Sequence, residues 1–190
     1  MRRGILHQSL RPNVAILAGA SAVIVLLSIL MLPWPAAVAS AALGSLMIAG
    51  ADVDARTCLL PDSVTWGAVA CGIVAAMALN PYDAWHAGAA AIMRAAGTAL
   101  ALALLRWCHA WLRAREGLGF GDVKLAAAVG AWLPLEAIPL CFALAAGAAL
   151  TAVMFARLRG EAISESTKIP FGAFLCPALW LIFYVGILPG

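Results

Sequence analysis

Charge is what this chain has least of. Only 11% of its 190 residues are Asp, Glu, Lys or Arg, against roughly 25% in soluble globular domains. With 65% hydrophobic residues and a mean hydropathy of +0.99, it has more apolar surface than one water-soluble core can hide. The five cysteines (Cys58, Cys71, Cys108, Cys141 and Cys176) stand singly. Without a Cys-x-x-Cys pair or nearby histidine pair, they offer neither a zinc site nor a disulfide framework. They read as small apolar filler inside helices. His7, His86 and His109 are equally isolated, so no metal and no cofactor is expected. No basic cluster is interleaved with aromatics, which argues against nucleic acid as a partner. No histidine lies beside Ser63, Ser164 or Cys58 in a pattern suited to nucleophilic catalysis.

What is present is a succession of long apolar runs. Crossing the apolar core of a bilayer takes about 20 helical residues, and hydrocarbon tolerates no unpaired backbone. That ruler predicts an all-α, multi-pass transmembrane bundle of six to seven spans. They fall at about 13–32, 35–53, 63–80, 85–106, 122–136, 137–156 and 171–189. The whole chain, 1–190, reads as one integral membrane domain without a separate soluble one. A basic start, an apolar run and Ala37-Val38-Ala39 before Ser40 imitate a secretory signal. The apolar run is nearer 19 residues than the 7–15 of a signal core, so the first span is read as uncleaved.

The few charges set orientation. Arg2, Arg3, Arg11, Arg56, Arg106, Arg113, Arg115, Lys124, Arg157, Arg159 and Lys168 all fall on alternate loops. The intervening loops carry only Asp83 and Glu136. The positive-inside rule then predicts a cytoplasmic N-terminus and an outward C-terminus. Arg94 is the exception, inside the fourth span. It either snorkels to an interface or faces the bundle to pair with a carboxylate.

Two loops on the predicted cytoplasmic face hold most of the acidic residues. One runs from Asp52 through Asp54 and Arg56 to Leu60-Pro61-Asp62; the other from Glu116 to Lys124. Asp62, after a proline and before an apolar run, reads most simply as a helix N-cap. Asp122 opens the next helix, where the dipole welcomes an anion, so capping and catalysis explain it equally well. Asp52 and Asp54 end a helix, where the dipole offers a carboxylate nothing. Lys124 has a snorkelling reading. Gly117, Gly119 and Gly121 allow positive φ and close backbone approach. Paired acidic clusters at membrane depth are functional candidates. Two carboxylates in one site share a proton, a state suited to peptide hydrolysis by an activated water.

Three stretches carry a family resemblance: Asp54-Ala55-Arg56 with Leu60-Pro61-Asp62, Glu116 to Leu125 running into Gly130-Ala131-Trp132, and Ile169-Pro170-Phe171-Gly172. In order, spacing and topology the chain resembles the type IV prepilin peptidases, membrane aspartyl proteases with a Gly-x-Gly-Asp motif. The resemblance implies that Asp54 and Asp122 form the catalytic dyad. It also implies that Asp62, Gly119, Gly121, Lys124, Pro170, Phe171 and Gly172 support the site or the substrate. The implied partners are prepilins or pseudopilins and the lipid bilayer of the bacterial inner membrane. Their basic leader is cut at the cytoplasmic face. No Cys-x-x-Cys pairs precede the first span, so peptidase activity is expected without the methyltransferase segment of longer members. Ala173 stands where a proline is frequent. The competing expectations are a small proton-coupled transporter or channel and a presenilin-like protease with other substrates. Oligomeric state is left open.

Overall fold

Proline and short polar breaks cut the chain into helices that pack as one bundle. The computed structural model describes residues 14–113, 119–159 and 170–188. Arg2, Arg3, Arg11, Arg115, Glu116, Gly117, Lys168 and Ile169 lie outside the described residues. Within them are seven α-helices and no strand: α1 Val14–Met31, α2 Trp34–Thr57, α3 Asp62–Leu79, α4 Ala84–Arg113, α5 Phe120–Trp132, α6 Ile138–Leu158 and α7 Phe171–Ile187. A 3-10 turn, Pro81–Asp83, precedes α4. All seven expected segments are helical. α2 and α4 run several residues beyond the predicted ends, so Asp54 lies inside a helix rather than after it.

The boundaries follow from backbone chemistry. α1 stops before Pro33, which caps α2, and Pro35 occupies the opening of α2, where its missing N–H costs nothing. α2 closes on Cys58, held in the left-handed region at φ 50 and ψ 31, the conformation that ends many helices. Pro61 caps α3. At the far end of α3, Asn80 Nδ2 donates to the Ala76 carbonyl at 2.9 Å, satisfying an acceptor the helix leaves open.

Membrane dimensions are visible in the lengths and the surface. α2, α3, α4 and α6 are long and apolar enough to cross a bilayer, and α1 and α7 are shorter apolar helices. Large apolar side chains such as Leu30, Leu100, Leu150 and Phe155 are exposed, as a lipid-facing surface requires. Trp85 and Trp107 are exposed near opposite ends of α4. Their spacing spans about 33 Å of helix, close to the roughly 30 Å of hydrocarbon that such aromatic belts bracket.

α5 is the central element. It packs against α4, α3 and α7, while α2 packs against α1, α3 and α7 and α6 leans on α7. Leu43, Met47, Ala68, Leu125, Val129 and Leu179 form the buried centre. Polar ties cross it: Trp132 Nε1 donates to the Ala68 carbonyl at 2.7 Å, and Ser28, Ser40 and Trp180 link α1, α2 and α7. Of the cysteines, Cys141 and Cys176 are buried as expected of filler and Cys71 is half-buried. Cys58 and Cys108 are exposed, because one ends a helix and the other faces outward from α4.

Arg94 follows neither expectation fully. It turns into the bundle, but its Nε donates to a main-chain carbonyl, that of Gly130, at 3.2 Å. α4 and α5 approach so closely there that a Cβ on Gly130 would collide with Thr98 Oγ1 and the Arg94 carbonyl. Gly130→Ala should therefore destabilise the protein by about 1–3 kcal/mol. Gly97→Ala, with open space around it, should leave thermal unfolding in detergent unchanged or slightly raised.

Candidate active site

Four helix ends meet at one end of the bundle: the C-terminus of α2 and the N-termini of α3, α5 and α7. Asp54, in the last turn of α2, is 5% exposed. The Ala173 N–H donates to its Oδ2 at 2.8 Å, and the Gly172 N–H points to the same carboxylate. Asp54 thus closes the N-terminus of α7, where orphan donors and the dipole favour an anion. Asp52 takes a different course: Arg56, one turn on, holds its carboxylate. The two acids of this helix end are therefore distinguished by where the helix rotation aims them.

Asp122 lies in the first turn of α5, three residues after the capping Gly119. The Gly119 N–H donates back to its carboxylate, the reciprocal half of a capping box. The Asp122 carboxyl also feels the charge of Asp54, although the two are 68 positions apart in the sequence. α3 and α7 bring them together, since each touches both α2 and α5.

Close approach, not backbone freedom, explains the glycines here. Gly119 has φ −68, and the one positive-φ residue other than glycine among the described residues is Cys58. No glycine there has a positive φ, which corrects the expectation for Gly119 and Gly121. A Cβ on Gly172 would stand 2.8 Å from Asp54 Oδ2 and would collide with the Leu60 side chain; one on Gly121 would lie 3.3 Å from Leu60 Cβ. Leu60 is wedged between the two glycines. Leu60 belongs to a stretch that carries the resemblance, but nothing in the sequence marks it, rather than Leu59 beside it, as the side chain that fills this gap. The main-chain donor of Ala173 was equally hidden.

Asp62 corrects the capping expectation. Pro61 is the cap residue and Asp62 already belongs to α3, with no side-chain cap bond. Its carboxylate instead receives Lys124 Nζ at 2.6 Å, joining α3 to α5. Lys124 is thus tied to a partner rather than merely snorkelling. Phe120 lies below both Lys124 and Arg106, at 5.8 and 5.0 Å from its ring centre. Pro170 caps α7, Phe171 begins it half-buried, and Gly172 is buried. Among the described residues no three His, Cys, Asp or Glu side chains converge to hold a metal ion.

The comparisons with known proteins agree with this architecture. Residues 41–155 match the type IV leader peptidase family. The chain is 36% identical over 137 residues to the leader peptidase HopD of Escherichia coli, covering 72% of this chain and 86% of that protein. It is 37% identical over 143 residues to a prepilin leader peptidase/N-methyltransferase of Burkholderia pseudomallei, covering 75% and 45%. A protein of that same description from Dickeya chrysanthemi is 33% identical over 168 residues, covering 86% and 56%. The chain thus spans about half the length of these longer relatives. No solved structure matches it. The fold and the lengths of its apolar helices define an all-α membrane protein. This chain belongs to the type IV leader peptidase family.

The Lys124–Asp62 pair is partly open to solvent, which caps its worth. A double-mutant cycle of Asp62→Asn and Lys124→Met, read by thermal unfolding in detergent, should give a coupling of at most about 1 kcal/mol.

Proposed function

We propose that the chain is an aspartic endopeptidase of the bacterial inner membrane that removes the basic leader from prepilins or pseudopilins, with residues 1–190 acting as a single peptidase domain. Asp54 and Asp122 are the catalytic pair. The convergence of these two acids, from the end of one helix and the start of another, supports the reading most directly. The names of the relatives supply the substrate class.

Two carboxylates close enough to feel each other hold one proton between them. The ionised member takes a proton from a water, which attacks the scissile carbonyl. The protonated member hydrogen-bonds the carbonyl oxygen and stabilises the charge that develops there. A proton then passes to the departing amine. In this scheme the α7 N-terminus holds Asp54 by its Oδ2 and leaves the other oxygen for chemistry. Gly172 supplies the room for Oδ2 to sit against main chain. Lys124 and Asp62 fix the start of α5 relative to α3, and hence where Asp122 points.

The site belongs at the cytoplasmic boundary. Arg56, Arg106 and Lys124 lie at the same end of the bundle as the two acids, and Asp83 lies at the other. Phe120 is level with Arg106, beside the belt tryptophan Trp107. A substrate whose apolar helix lies in the membrane and whose basic leader remains in the cytoplasm would present its junction at that depth. A midplane proton pathway would need acids much deeper than these.

Co-expression with an epitope-tagged prepilin tests the assignment. Asp54→Asn and Asp122→Asn should each abolish the leader-sized mobility shift, at protein levels equal to the parent. A shift that survives both substitutions would sink the dyad. Gly172→Ala should slow processing at least roughly tenfold, since a misplacement of about 1 Å in a catalytic group is worth more than that. Asp62→Asn should slow it far less than either dyad substitution.

A further inference from the structure

α5 stops short. Its 13 residues rise about 20 Å, roughly 10 Å less than the hydrocarbon thickness. Trp132 at its end bonds to Ala68 and crowds Gly72, so α5 terminates beside the middle of α3. Beyond that end, away from Asp54 and Asp122, lies a cavity of about 630 Å³ walled by apolar side chains including Leu79, Leu133, Leu144, Phe183 and Ile187. Its volume is in the range of small-molecule sites. A second cavity, of about 320 Å³, has mixed walls, with Asn80, Asp83, His86 and Arg94 standing among three alanines. Ala76, Asn80 and Arg94 line both. The two are therefore adjacent, one edged by polar groups and the other apolar.

Arg94 stands at the junction, nine residues or about 14 Å of helix inward from the belt residue Trp85. Its Nε is used by Gly130, and among the described residues no carboxylate pairs with it. Asp83 engages His86 near the mouth of the smaller cavity. A guanidinium at that depth with only a carbonyl partner is costly. Helical side chains lean toward their helix N-terminus, which directs the Arg94 fork past Ala90 and Ala87, both of which line the smaller cavity. A planar fork in such a place matches a phosphodiester.

We propose that the two adjacent cavities bind one phospholipid from the leaflet opposite the aspartates. Arg94 takes the phosphate, an acyl chain fills the apolar cavity above the end of α5, and the headgroup lies among Asn80, Asp83 and His86. The Asp83 carboxylate favours a headgroup carrying an amine over an anionic one. The bound lipid supplies the contacts that the missing third of α5 would otherwise make with α3, α4 and α7.

The test is lipid retention by the full chain, extracted in mild detergent and measured by native mass spectrometry, which is independent of peptidase activity. The parent should keep one phospholipid per chain. Occupancy should fall at least roughly tenfold in Arg94→Gln, the scale of a lost charge-assisted hydrogen bond. Ala76→Leu, which blocks the junction but leaves the Arg94–Gly130 bond, should lose it too and decides the matter if Arg94→Gln does not fold. Added phosphatidylethanolamine should raise the thermal midpoint of delipidated protein more than phosphatidylglycerol does. Equal retention in the parent and both variants would overturn the site. Crosslinking of a prepilin transmembrane peptide to position 76 in place of lipid would overturn its occupant. A larger stabilisation by phosphatidylglycerol would overturn the headgroup assignment.

Discussion

The arrangement rests on one carboxylate placed between two helix ends. Asp54 sits in the last turn of α2, where the partial negative charge of its own helix disfavours it. It is tolerated, nearly buried, because the start of α7 turns two main-chain donors toward it. That contact only forms if nothing projects from position 172, and if the chain leaving α2 turns sharply enough for Leu60 to fill the gap. Gly172 and the left-handed Cys58 meet those conditions. The acid, the glycine and the turn therefore depend on one another.

The second acid is carried by the most enclosed helix. α5 buries Leu125, Ala126, Ala128, Val129, Gly130 and Ala131, so its rotation and height are set by neighbours on several sides. A side chain on such an element is held more firmly than one on a loop. The same helix is too short to cross the membrane. Its length serves the end where Asp122 stands, and the opposite end leaves the space that Arg94 borders. Position of the acid and presence of the cavity are two consequences of one truncated helix.

Small residues decide distances throughout. Gly130 lets α4 and α5 touch, Gly72 receives Trp132, and Gly121 and Gly172 receive Leu60. In lipid, where apolar side chains gain little by leaving their surroundings, close packing and internal hydrogen bonds do most of the work of association. The Arg94 bond to Gly130 and the Trp132 bond to Ala68 belong to this class, polar groups satisfied by main chain that the close approach exposes.

Sequence alone determined the number and placement of the helices, because bilayer thickness and the need to satisfy every backbone group leave few alternatives for long apolar runs. It also singled out Asp122 by its glycines and Asp54 by its spacing from Leu60-Pro61-Asp62, through resemblance to a known family. Only the tertiary structure decided who meets whom. It gave Asp62 to Lys124 rather than to its own helix, Asp52 to Arg56, Asp54 to Ala173, and Arg94 to a carbonyl, and it made the glycines spacers rather than hinges. The reason is physical. Helices apolar on every side carry no stripe to mark which face turns inward. Apart from the Asp52–Arg56 pair, one helical turn apart, the partners of these groups lie 36 to 119 residues away, beyond the reach of any local pattern.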